Sequence, residues 1–319
     1  MSEPRPQAPL AGWARAVAIA GWAPQYTRGQ FRGDLVAGLT VWALVVPEAM
    51  AYASLAGMPP ETGLYTALLA PLLYAVFGSS RQLNVGPSST VAVMSAAVVV
   101  PLAGDDPDRF VALSVALALM VGVLFVAAGV LKLGFLADFM SKPVLDGFIV
   151  GLAMTIAAGQ AHKLFGIEAT GDNFFSDLIV LVQNVDQTVP ATLAIGAVSL
   201  AFLFGLEAWA PRIPAALVVT LLSIMTVTVL DLETRGVRIV GEIPAGLPTP
   251  TLPNDLAWGD VGALLPGALG IVIVGFAESI AAARSYATKR GYRVDADQEL
   301  VALGASNAGA GLFGGFVVD

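Results

Sequence analysis

The stretch Gln82-Leu-Asn-Val-Gly-Pro-Ser-Ser-Thr-Val-Ala92 constrains the fold more than any other part of the chain. It interrupts an otherwise apolar region. Gly86 and Pro87 break any helix running through them. Pro87 suits the first position of a new helix, where its missing N–H costs nothing. Ser88, Ser89 and Thr90 put hydroxyls at that start, and residues 91–101 continue as an apolar segment. Inside a bilayer, such a break aims the free N–H groups and positive dipole end of a half-helix at the membrane midplane. That arrangement attracts an anion. Broken helices of this kind build the central sites of secondary transporters.

The bilayer follows from composition. Apolar residues make up 56% of the chain and charged residues 13%, against about 25% charged in a soluble domain. Apolar runs near the length that crosses a membrane recur along the sequence. They predict an all-α polytopic membrane protein. Nine spans are expected: 35–56, 63–77, an interrupted 83–102, 110–131, 144–164, 191–208, 213–230, 261–283 and 300–313. Residues 1–33 read as a short interfacial helix on the cytoplasmic side. Residues 174–186 have helical apolar spacing but are too short to span. No secretory leader is expected, because the first long apolar run starts near Leu35 without a cleavage site.

Orientation follows from counting cations. With the N-terminus in the cytoplasm, twelve of the 16 Lys and Arg residues fall inside and four, Arg109, Lys163, Arg235 and Arg238, outside. The reading is therefore a multi-pass protein of the inner (plasma) membrane. The basic residues form no patch, so nucleic acid is not an expected partner. There are no cysteines and one histidine, His162, which leaves no metal cluster and no thiol chemistry. No cofactor is expected.

An internal repeat is visible. Pro47-Glu-Ala-Met-Ala-Tyr-Ala53 in the first span matches Ala277-Glu-Ser-Ile-Ala-Ala-Ala283 in the eighth. Phe77-Gly-Ser-Ser, with Asn84-Val-Gly, resembles Phe313-Gly-Gly-Phe-Val-Val-Asp319. Seven spans separate the copies, and an odd number inverts the second. That is the inverted-repeat plan of many secondary transporters.

Glu48 and Glu278 are the two acids well inside apolar spans. A central carboxyl costs on the order of 3 kcal/mol on insertion scales, so such residues face a cavity or a partner. Each can act as a structural hydrogen-bond acceptor or as a proton carrier beside a bound anion. Tyr52 lies one turn after Glu48 on the same face, where it either lines that cavity or packs on a neighbouring span. Gly309-Ala-Gly-Leu-Phe-Gly314 is formally a GxGxxG, but it follows no strand, so close helix packing explains it better than a dinucleotide. His162 is expected at the membrane surface.

Several motifs resemble the SulP family, the sulfate permease and solute-carrier-26 anion transporters. They are Pro60-Glu-Thr-Gly-Leu-Tyr-Thr-Ala with Tyr74 and Phe77-Gly-Ser-Ser-Arg81, Val46-Pro-Glu-Ala-Met-Ala-Tyr-Ala53, Val85-Gly-Pro87, Glu278-Ser279 and Asp297-Gln-Glu-Leu-Val-Ala-Leu-Gly-Ala-Ser-Asn307. Thr62 departs from the signature, where Tyr is usual. The resemblance covers residues 34–319. It implies fourteen segments in two inverted sevens, divided into a core and a gate, with the anion between half-helices 3 and 10. Mapped here, the core takes 34–133 and 261–319, the gate 134–235, and an extracytoplasmic loop 236–260. The implied substrate site is Glu48, Tyr52, Val85, Gly86, Pro87, Ser88, Glu278 and Ala282, with Glu278 and Glu48 as proton-coupling acids.

Many members carry Gln at the Glu48 position. Sodium-coupled relatives carry Asp and Thr where this chain has Glu278 and Ala282, which favours protons. The family pattern continues past Asp319 with the rest of half-helix 10, four spans and a STAS domain, so the resemblance implies that 1–319 is the first part of such a protein and does not transport alone. The implied partners are a small inorganic or organic anion (sulfate, bicarbonate or a dicarboxylate), protons, the lipid bilayer and a second copy in a homodimer. The implied mechanism is elevator movement of core against gate. A nucleobase permease of the same fold and a membrane sensor or scaffold remain the alternatives.

Overall fold

A computed structural model describes residues 26–139, 142–167, 174–210, 213–241, 243–244, 246–253 and 256–319. The expected interfacial helix falls largely outside them. Among the described residues the chain is all α-helix with short 3-10 turns and no strand. The first helix, α1 (Arg28–Leu55), starts earlier than the expected span. The reason is a capping box: Thr27 Oγ1 accepts from Gln30 N at 3.3 Å, and Gln30 Oε1 accepts from Thr27 N at 2.8 Å. Residues 28–33 therefore belong to this helix and not to a separate interfacial one.

Then follow α2 (Pro60–Phe77), α3 (Ser89–Ala103) and α4 (Pro107–Val130). Between α2 and α3 the backbone is not helical, so the expected third span is a half-helix preceded by extended chain. Ser88, not Pro87, sets its start. Ser88 is the N-cap, its side chain accepting from Val91 N, and Pro87 stands one place before it. A serine oxygen that satisfies an open amide outweighs the neutral fit of proline.

The chain continues through α5 (Lys142–Phe165), α6 (Phe174–Gln183), α7 (Pro190–Trp209) and α8 (Ala215–Val229). The last two helices are α9 (Trp258–Arg290) and α10 (Ala296–Leu312). At 33 residues, α9 is about 50 Å long, well beyond the expected span. Its last turn carries Lys289 and Arg290, which suit a helix C-terminus, and Gly291 ends it with φ +74°. By length and composition α1, α4, α7 and α9 can each cross a membrane. His162, on the last turn of α5, is buried within the protein.

One buried apolar cluster draws on α2, α3, α4, α9 and α10, with Val85, Val317 and Val318 from the extended segments; among the described residues none comes from α5–α8. The most extensive helix–helix contact is between α4 and α10. A Cβ on Gly122 would lie 2.7 Å from Ala308 N, and one on Gly304 would lie 2.8 Å from both Gly122 O and Val126 N. Only glycine allows the two backbones to meet this closely. Gly63 does the same for α2 against Ala49 of α1, where a Cβ would fall 2.1 Å from the Ala49 carbonyl oxygen. By contrast α7 leaves Val198, Phe202 and Phe204 exposed, apolar surface suited to lipid.

Candidate functional site

Two non-helical segments cross at the centre of the buried cluster. One runs through residues 78–88 into α3, and the other leaves α10 through residues 314–319. Gly86 N donates to Asp319 O at 3.2 Å and Asp319 N donates to Gly86 O at 3.3 Å. The pair satisfies backbone groups that neither broken helix can satisfy itself. Asn307 holds the second segment from below: its amide donates to Val318 O at 2.8 Å and accepts from Val318 N at 2.9 Å. Thr66 Oγ1 of α2 accepts from Phe316 N at 3.2 Å.

A cavity of about 540 Å³ opens beside this crossing. Glu48, Val85, Gly86, Pro87, Ser88, Glu278 and Ala282 all line it, so the structure brings these expected residues to one place. Tyr52 reaches it through a neighbour, donating from its hydroxyl to Glu48 Oε1 at 2.6 Å. Pro47 stands inside α1 immediately before Glu48, where it removes a helical hydrogen bond and loosens the turn. Across the cavity Thr90 Oγ1 donates to Glu278 Oε1 at 3.2 Å.

Three further lining residues with polar side chains were not among the expected site residues. Asp319 places its carboxyl against the Ser88 hydroxyl and the Glu278 carboxyl. Ser279 is buried, and its Oγ has no hydrogen-bond partner. Asn84 completes the group. The repeat held the signal for Asp319, since Phe313-Gly-Gly stands to Asp319 as Phe77-Gly-Ser stands to Asn84-Val-Gly.

The site thus offers first-turn amides and hydroxyls of α3, a free serine hydroxyl and three carboxyl groups. The helix N-terminus favours an anion. The carboxyls favour one only when they carry protons. Gly86 contributes room: its φ is not left-handed, and an added Cβ would meet no atom within 4 Å. Gly86→Ala should therefore leave the melting temperature within about 1 °C yet weaken anion binding about tenfold, a cost of roughly 1.4 kcal/mol. Titration calorimetry with sulfate reads the second effect, and unchanged affinity would show that the added methyl lies clear of the anion.

Comparison with known proteins agrees with this architecture. Residues 31–319 match the sulfate permease family. A probable sulfate transporter of Mycobacterium tuberculosis is 42% identical over 306 residues, covering 94% of this chain and 54% of that protein. Sulfate transporter 1.1 of Arabidopsis thaliana is 32% identical, covering 93% of this chain and 48% of its own length. The chain spans about half the length of the curated relatives it matches. Among solved structures, the murine solute carrier 26 family member A9 anion transporter in its inward-facing state superposes with TM-score 0.88 at 25% identity, over 99% of this chain and 56% of that one. The transmembrane domain of a cyanobacterium bicarbonate transporter superposes with TM-score 0.81 at 25% identity, over 92% of this chain and 75% of that one. With a family match over nearly its whole length and the same fold, the chain belongs to the sulfate permease family.

Proposed function

We propose that this chain works in a secondary active anion transporter, with sulfate as the favoured cargo and protons as the coupling ion. The observation that carries the reading is the cavity in which the N-terminus of α3 faces Glu48, Glu278 and Asp319. A dianion gains from the α3 dipole and hydroxyls but is repelled by each ionised carboxyl. Protons arriving with the anion remove that repulsion, and their release on the far side returns it and expels the cargo. Names of relatives support sulfate; the bicarbonate transporter of like fold makes bicarbonate the next anion to test.

In this reading α1–α4 with α9 and α10 form the moving core, and α5–α8 form the gate against which it slides. Burial supports the division: one cluster unites α2–α4 with α9 and α10, a second packs Ala53 of α1 with Ala92 of α3 and Phe316, and among the described residues neither draws on α5–α8. The excess of basic residues on one side favours a cytoplasmic N-terminus in the inner membrane.

The test is uptake of labelled sulfate, bicarbonate, a dicarboxylate and uracil by the intact protein in proteoliposomes, with and without an inward proton gradient. Glu278→Gln keeps the size and the acceptor for Thr90 but cannot carry a proton. It should bind and exchange sulfate while losing gradient-driven accumulation by tenfold or more, equivalent to at least about 1.4 kcal/mol of coupling. Loss in Glu48→Gln alone would move the coupling role to Glu48, and retention in both would remove it from these acids. Uptake of uracil without any anion would overturn the anion reading.

A further inference from the structure

We propose that Glu299 is a positioning residue for the anion site, acting at a distance through the extended chain between α2 and α3. Glu299 is a fully buried acid on the first turns of α10 and is itself not among the residues that line the cavity. Its Oε1 accepts from Ser79 N at 2.7 Å, Ser79 Oγ at 2.7 Å and Ser80 N at 3.0 Å. Its Oε2 accepts from the Tyr74 hydroxyl at 2.6 Å. Three of these donors have no alternative role. Two are backbone amides, and the Ser79 hydroxyl already accepts from Asp295 N at 3.0 Å, so its hydrogen goes to Glu299. The arrangement is the complement of an acceptor-only carboxylate.

Burying such a group is costly unless every lone pair finds a donor. Here three of the four donors, on Ser79 and Ser80, belong to the segment that leads directly to Asn84, Val85, Gly86, Pro87 and Ser88. A second clamp holds the same segment on its exposed side. The Tyr292 hydroxyl contacts Ser80 Oγ at 3.2 Å, accepts from Arg81 N at 3.4 Å and donates to Gln82 Oε1. Leu83 N donates to Ser80 Oγ at 3.3 Å, which passes the constraint one step further. The segment is thus tied at its entry by Glu299 and Tyr292, and at its exit by the Gly86–Asp319 pair. Both ties come from α10 and the chain on either side of it. The N-terminus of α3 and the acid opposite it are therefore held in one frame, and freeing the entry tie lets residues 83–86 drift from the anion.

This inference rests on the proposed anion binding for its transport readout, and hydrogen exchange tests it without that reading. In the intact protein, Glu299→Ala should raise amide exchange at residues 83–86 at least tenfold and raise the KM for sulfate about tenfold, with kcat per folded transporter kept within twofold. That split marks lost ground-state binding rather than lost turnover. Glu299→Gln should restore most of both values, because its carbonyl can serve Ser79 and Ser80 while the Tyr74 oxygen accepts from its amide. Where Glu299→Ala yields no folded protein, Tyr292→Phe serves: it keeps the ring beside Arg81 and removes only the hydroxyl, and should raise exchange at residues 83–86 about threefold. Exchange at 83–86 equal to that of the unsubstituted protein in these variants overturns the proposal, as does a kcat that falls while KM stays fixed. An unsubstituted protein that takes up no anion sinks the function proposed above, and the exchange result then decides the positioning role alone.

Discussion

Gly304→Val should yield almost no folded protein. A Cβ at this position would stand 2.8 Å from Gly122 O, 2.8 Å from Val126 N and 2.6 Å from Val126 Cγ2. Two of these are backbone atoms of α4, which cannot rotate away as a side chain can. The helix axes would have to separate along the seam that also holds Gly122, Gly129 and Gly311. Overpacking in a close-packed interior costs on the order of 1–3 kcal/mol when side chains can adjust. Here they cannot, so at least about 3 kcal/mol is expected, a large share of a domain's total stability. Monodisperse yield in detergent and the thermal unfolding midpoint measure it. Gly262→Ala on the exposed face of α9, where a Cβ meets nothing within 4 Å, should be neutral or slightly stabilising. If both variants fold alike, the α4–α10 seam is looser than its geometry implies.

Ser88→Asp should fold and should not bind anion. Aspartate caps a helix as well as serine does, so the acceptor for Val91 N is kept. A fixed charge then sits at the N-terminus of α3, in the same cavity as Glu48, Glu278 and Asp319. Two unit charges about 4 Å apart at an effective dielectric of about 20 repel by roughly 4 kcal/mol, which corresponds to about a thousandfold in affinity. Calorimetry with sulfate on the intact protein, next to a melting curve, separates the two effects. Binding that persists would place the anion away from this helix end.

Much of the fold was legible because its causes are local. Residues 110–131 and 191–208 are predominantly apolar, and the helices found there differ from expectation only at their ends: the Asp106 cap starts α4 three residues earlier, and α7 gains one residue at each end. The break at Gly86–Pro87 was legible for the same reason. The position of the cap was not, because the choice between Pro87 and Ser88 depends on which one satisfies an amide. Glu48 and Glu278 stood out as charges among apolar neighbours, and the structure sets both on one cavity. Asp319 did not stand out. Its importance comes from Gly86, Ser88 and Glu278, which only the folded chain brings to it. Glu299 was hidden in another way. Beside Asp297 and Gln298 it looks like the polar start of a helix, and its burial becomes visible only once Tyr74 and Ser79 are seen to close over it.

The contact between Ser79 and Glu299 also sets an order of birth. The acceptor is 220 residues downstream of its donor. At about 5–20 residues per second, the ribosome needs on the order of ten to forty seconds to supply it. During that interval α3 to α9 are synthesised, while the amides of Ser79 and Ser80 and the unpaired edge of Gly86 lack the partners they have in the folded chain. A nascent chain in that state depends on the insertion machinery to keep the 78–88 segment out of hydrocarbon, since lipid offers its backbone no partner. Arrival of α10 closes the helix seam, the carboxylate clamp and the Gly86–Asp319 pair together, so a segment made early waits for one made much later.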